Sequence, residues 1–165
     1  MITGKYPSLR LRRNRKAEWT RRLVEESSLS SNDLILPIFL IDGKNRIQSI
    51  KLMPGVFRYS IDQLSKIVDK AIFLGIPMVA LFPYSNSKVK NKHGSEALNE
   101  DNLVCRAIRY IKKKYKNQIG IMCDVALDPY TSHGHDGLLK SGYVLNDETV
   151  EILIKQSLLQ AEMGC

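Results

Sequence analysis

Residues 60–83 read SIDQLSKIVDKAIFLGIPMVALFP, a helix pattern and a strand pattern separated by one turn signal. Leu64, Ile67, Val68, Ala71 and Ile72 recur at three- and four-residue spacing, which lines one face of an α-helix. Ser60 followed by Gln63 has the spacing of a capping box, and Gly75 supplies the stop. Residues 77–83 then form a short, continuous apolar run, the mark of a strand buried on both faces of a parallel sheet.

The same alternation extends in both directions. Upstream, residues 34–40 (LILPIFL) form another short apolar run, and residues 42–59, with Pro54 and Gly55, read as a loop with room for a short hairpin. Residues 17–28 predict a short amphipathic helix with Trp19 and Leu23 on one face. Downstream, residues 84–97 are polar and carry Lys88, Lys90 and Lys92. A helix is expected over 100–115, with Glu100 and Asp101 at its start and Lys112, Lys113, Lys114 and Lys116 at its end, as the helix dipole favours. Residues 119–125 predict a third strand. Asn146–Met163 predicts a third helix, capped by Asn146 and acidic in its first turn. Strand, helix, strand, helix, strand, helix implies an α/β fold with a parallel sheet. In such folds chemistry gathers at the carboxyl ends of the strands, which singles out the loops 42–59, 84–97 and 126–145.

Composition narrows the function classes. The chain has 165 residues, 44% hydrophobic and 25% charged, so a disordered or fibrous protein is excluded. Its net charge of +8 is uneven: residues 1–22 hold eight bases and one acid, and the remainder is nearly neutral. A basic arm on a neutral body is poor support for a nucleic-acid-binding surface. The apolar run 34–41 has eight residues and a proline, too short for the roughly 20 that a membrane span needs. No secretory signal follows the basic start. Cys105, Cys123 and Cys165 have no metal-site spacing, which suits a reduced, cytoplasmic protein.

Residues 124–137, DVALDPYTSHGHDG, concentrate titratable groups at the end of the third strand. Asp124, Asp128, Asp136, His133, His135, Tyr130, Thr131 and Ser132 lie within this one segment, which marks a candidate active site. His133, His135, Asp136 and Asp128 offer nitrogen and oxygen donors for a metal. General acid/base work by Asp124 or Asp128 is equally open.

This segment resembles the metal-motif loop of the 5-aminolevulinate dehydratase (porphobilinogen synthase) family. The likeness runs through RLRRNR…RRLVEE, DLILPIFLIDG, MPGVFRYSID, LGIPMVALFP, GYVLNDETVEILIKQSL and LLQAEMG. It implies a (β/α)8 barrel and a lyase of tetrapyrrole and haem biosynthesis that condenses two 5-aminolevulinate molecules into porphobilinogen. It also implies an N-terminal arm, residues 1–30, that contacts a neighbouring subunit of a homo-octamer, with residues 31–165 as the first three β/α units of the barrel. No nucleic-acid or membrane partner is expected.

By the same resemblance, Asp124 matches the family's active-site aspartate, which orients or exchanges protons with a substrate amino group. Asp128, Asp136, Tyr130, Ser132, His133 and His135 belong to the pocket or metal-motif loop, the histidines in structural roles. The three cysteines of zinc-dependent members are replaced by Ala126, Asp128 and Asp136, so no thiolate zinc site is expected, and two carboxylates suit Mg²⁺ in an intact enzyme. The family's Schiff-base lysines match no lysine here, Lys140 and Lys155 included. The chain is therefore expected to be an incomplete barrel, inactive alone. The alternative is a non-catalytic half-barrel that joins full-length subunits and alters their assembly.

Overall fold

A computed structural model describes residues 4–165, so the first three residues of the arm expected over 1–30 lie outside the described residues. The chain divides into two compact units, one ending at Ser30 and one comprising Ser31–Cys165. In the first unit a 3₁₀ turn at Arg13–Arg15 precedes helix α1 (Glu18–Leu23). The helix is half as long as residues 17–28 predict and buries nothing, with Trp19 66% and Leu23 77% exposed. Six residues are too few to sustain a helix without a surface to pack on.

The second unit begins with β1 (Ile35–Ile41), β2 (Ile47–Ile50) and β3 (Met53–Tyr59). Then come α2 (Leu64–Phe73), β4 (Met78–Tyr84), α3 (Leu103–Tyr115) and β5 (Gly120–Cys123). A small hairpin, β6 (Leu138–Lys140) with β7 (Tyr143–Leu145), leads into α4 (Asn146–Met163). Five strands form one sheet in the order β2-β3-β1-β4-β5, parallel except for β2. The α/β class and the parallel core are as the sequence predicts. The 42–59 segment contributes more than a loop: its hairpin folds back so that β3 lies beside β1, with Phe39 opposite Arg58 and Leu40 opposite Tyr59.

Alternation along the strands divides the sheet into two faces. Ile38 and Leu40 of β1, Val79 and Leu81 of β4 and Ile121 of β5 point to the outer face and are buried. Leu64, Val68 and Ala71 of α2 cover them together with Val104, Ala107, Ile108 and Ile111 of α3. The opposite face carries Ile35, Phe39, Phe82, Tyr84 and Met122 and is only partly covered: Ile35 is 45%, Tyr84 53% and Met122 43% exposed. The inner face is thus less completely buried than the outer one: Ile41 and Ala80 are buried there, while Ile35, Tyr84 and Met122 stay exposed in the open sheet.

Three end signals resolve differently from their sequence patterns. Ser60 makes no capping bond to α2; its hydroxyl donates to Asp62 at 2.7 Å and accepts from the Arg46 N–H at 2.9 Å. It closes the base of the β2–β3 hairpin, where the Ser60 N–H also reaches the Arg46 carbonyl at 3.0 Å. The helix over 100–115 starts at Leu103, because Asn102 is its cap and accepts from the Cys105 N–H at 2.9 Å. Asn146 is the first residue of α4, not its cap, while Asp147 and Glu148 do occupy its acidic first turn.

Candidate functional site

Met78 pairs with Gly120 and Ala80 with Met122, so the even-numbered residues of β5 lie on the inner face. Asp124 takes the next position in that alternation, one residue past the end of β5. The loops after β4 and β5 meet beside it. Asn91 bridges Thr131: the Asn91 N–H donates to the Tyr130 carbonyl at 3.2 Å, and the Ser132 N–H donates to the Asn91 carbonyl at 3.0 Å. The Lys90 ammonium adds a bond to the Asp128 carbonyl at 3.3 Å.

Within the 124–137 segment the chain makes a tight turn. The Tyr130 and Thr131 N–H groups both donate to the Leu127 carbonyl, at 2.8 and 2.9 Å. Leu127 and Tyr130 pack with Ala97 in a small second core against Ile152 and Leu153 of α4. Asp136 accepts a bond from the Leu127 N–H, and the Thr131 hydroxyl donates to the His135 carbonyl at 2.8 Å. Gly137 is required where the segment enters β6: a Cβ there would stand 2.6 Å from a Val144 methyl and 3.1 Å from the Thr149 hydroxyl.

Two glutamines of α4 complete the support. Gln156, 1% exposed, donates to the Ala126 carbonyl at 3.1 Å, and Gln160 donates to the Asp124 carbonyl at 3.2 Å. Neither was singled out from sequence. The signal was two amides four residues apart among Leu153 and Leu159, polar groups on a face that packs inward.

Asp124 carries a raised carboxyl pKa, caused first by partial burial and then by the negative charges of Asp128 and Asp136. The three carboxylates are therefore one electrostatic group. Tyr130 is held as a neutral phenol chiefly by its burial. Ser132 is exposed and enters the loop contact through its backbone.

His133 is occupied through its ring, and His135 through its backbone, with the two rings 5.6 Å apart. Nδ1 of His133 accepts from the His135 N–H at 3.2 Å while Nε2 reaches the Lys92 carbonyl at 3.4 Å, so both ring nitrogens serve the loop. Among the described residues, no three His, Cys, Asp or Glu side chains converge to hold a metal. Ala126 is a buried methyl, Asp136 is engaged by the backbone, and Cys123 sits beside Cys165 with its thiol pushed up mainly by burial.

The chain matches the family model for delta-aminolevulinic acid dehydratase over residues 8–165. It is 56% identical over 158 residues to the delta-aminolevulinic acid dehydratase of Bradyrhizobium diazoefficiens, covering 96% of this chain and 44% of that one. Identity to the dehydratase of Chlamydia pneumoniae is 43% over 157 residues, covering 95% and 47%. The crystal structure of the dehydratase (porphobilinogen synthase) from Toxoplasma gondii, in complex with the reaction product porphobilinogen, superimposes with a TM-score of 0.90 at 39% identity. That match covers 95% of this chain and 45% of the other. The chain spans about half the length of the relatives it matches, and its unclosed sheet corresponds to part of the family's barrel. On these grounds the chain belongs to the delta-aminolevulinic acid dehydratase family.

Proposed function

We propose that these 165 residues form the first part of a porphobilinogen synthase barrel, in which Asp124 orients, or exchanges a proton with, the amino group of bound 5-aminolevulinate. The observation that carries this reading is the raised Asp124 carboxyl at the carboxyl end of β5, flanked by Asp128 and Asp136. A carboxyl that holds its proton more tightly than usual is better matched to exchange with an amine. Schiff-base chemistry needs an amine kept uncharged by a dry setting. No lysine among the described residues is buried, so the covalent half of the reaction is assigned to residues outside this segment.

Asp128 and Asp136 supply the oxygen chemistry that Mg²⁺ accepts, with water completing its shell. The arm, with Trp19 and Leu23 exposed, is read as a subunit contact within a homo-oligomer. Among the described residues no helix is long and apolar enough to cross a membrane; the cytoplasmic reading rests on the cysteine usage, three residues without metal-site spacing.

The test supplies 5-aminolevulinate to the purified chain, alone and together with the remaining segment of the Bradyrhizobium diazoefficiens relative, and scores the pyrrole by its colour reaction. We expect none from the chain alone, pyrrole from the pair, and a loss of at least about 100-fold with Asp124→Ala. Turnover by the chain alone, or an unchanged rate in the variant, overturns the assignment. A second reading, a non-catalytic half-barrel that alters the assembly of full-length subunits, draws on the partly exposed inner face. Mixing the chain with intact enzyme and measuring particle mass distinguishes it.

A further inference from the structure

Two cysteines meet at the open edge of the sheet. Cys123 is the last residue of β5, the terminal strand in the sheet order, and Cys165 follows Gly164, the left-handed residue that ends α4. The Gly164 N–H donates to the Ala161 carbonyl at 3.0 Å and the Cys165 N–H to the Gln160 carbonyl at 3.1 Å, which turns the chain back on the helix end. Glycine is needed at that turn, because a Cβ there would stand 2.9 Å from the Lys112 side chain.

The turn aims the Cys165 thiol at β5. The Gly120 N–H donates across to Pro77 beside β4, so the alternate carbonyl of Ile121 faces the open edge, and Cys165 Sγ donates to it at 3.4 Å. Cys123 lies two residues along the strand, on the same face as Ile121, and packs half-buried against the main core. The two thiols stand within hydrogen-bonding reach of each other. They differ in access: Cys165 is exposed, whereas burial keeps Cys123 protonated. Cys105 is buried on α3.

We propose that Cys123 and Cys165 are a redox modification site, at which a hydroperoxide closes a reversible disulfide between the ends of β5 and α4. The Cys165 thiolate attacks one peroxide oxygen, the O–O bond breaks, and the departing hydroxide takes a proton to leave as water. Cys165 is then a sulfenic acid. The Cys123 sulfur attacks the Cys165 sulfur, the S–O bond breaks, and the hydroxyl leaves with the Cys123 proton as a second water. The two thiols lose two electrons and hydrogen peroxide gains them; a dithiol reductant reverses the bond by exchange. A transient bond of this kind suits a reduced compartment. Gln160 already ties α4 to the Asp124 carbonyl at 3.2 Å, one residue beyond Cys123, so the disulfide stiffens the strand end that carries Asp124. The site holds whatever the catalytic role of Asp124.

The test treats the reduced, folded 165-residue chain with hydrogen peroxide, alkylates it in denaturant and maps its peptides by mass. The expected product is a monomer lighter by two hydrogens, with the Cys123 and Cys165 peptides joined and Cys105 alkylated. Dithiothreitol should restore the starting mass. Cys123→Ser and Cys165→Ser should each abolish the link, and Cys105→Ser should keep it. Amide exchange at Asp124 should slow at least about tenfold on oxidation. A link through Cys105, a disulfide between two copies, a chain that stays reduced, or sulfinic acid on Cys165 with Cys123 free overturns the proposal, as does unchanged exchange. The peptide map of the unsubstituted chain decides the matter even if a variant fails to fold.

Discussion

The two faces of the same sheet are held in opposite ways. On the outer face Leu81 and Leu40 are wholly buried beneath α2 and α3, whereas on the inner face their neighbours Tyr84 and Met122 stand half in solvent. Both faces are apolar, so composition does not separate them. The difference lies in what each has to pack against: α2 and α3 cover the outer face, and among the described residues of the second unit the inner face is only partly covered. The outer face therefore carries the stability of the unit, and the inner face leads to Asp124 with its side chains partly exposed.

This comparison can be broken most directly at its outer side. Ile108→Ala in α3 should cost about 2–5 kcal/mol in urea unfolding, while Met122→Ala should stay within about 0.5 kcal/mol. Equal effects would show that the inner face is packed after all. Adding the complementing segment should sharpen the contrast by raising the cost of Met122→Ala.

A smaller effect is expected where the loop meets α4. Gln156→Leu removes the donor to the buried Ala126 carbonyl and should cost about 1–3 kcal/mol. Hydrogen exchange at the Leu127 and Tyr130 amides should accelerate with it, because their turn loses its outer support. Unchanged exchange would show that the tie to the 84–97 loop holds the turn unaided.

The smallest effect is electrostatic. Asp124 is raised in the folded chain, so its ionisation opposes folding. That penalty is absent below its ordinary value near 3.8 and grows as pH climbs through the raised one. Asp128→Asn should lower the Asp124 pKa, measured by carboxyl-carbon NMR titration, and flatten stability against pH across the same window. A pKa that does not move would separate Asp124 from its neighbours.

Much of the sheet was legible in the sequence, because β1, β4, α2 and α3 are each specified by local periodicity. The 124–137 segment stands out in the sequence as a candidate site because titratable residues are dense there. What local pattern could not show was pairing at a distance. Ser60 has the spacing of a helix cap, but Arg46 and Asp62 offer its hydroxyl better partners once the hairpin closes. The placement of β3 beside β1 depends on the same closure. Gln156 and Gln160 look like ordinary helix residues until carbonyls 30 and 36 positions away arrive beside them. Cys123 and Cys165 are distant in the sequence, and only the fold brings their thiols together.

The ties made by those glutamines go to backbone carbonyls at positions 124 and 126, and the turn at Leu127 is likewise held by main-chain groups. Asp136, Thr131 and His133 are exceptions, each tying the loop through its side chain. The course of the loop is thus insulated from the exposed side chains that make no such tie, Asp128 among them. A substitution at Asp128, which is exposed, can therefore change the atoms shown to solvent without altering the path that presents them.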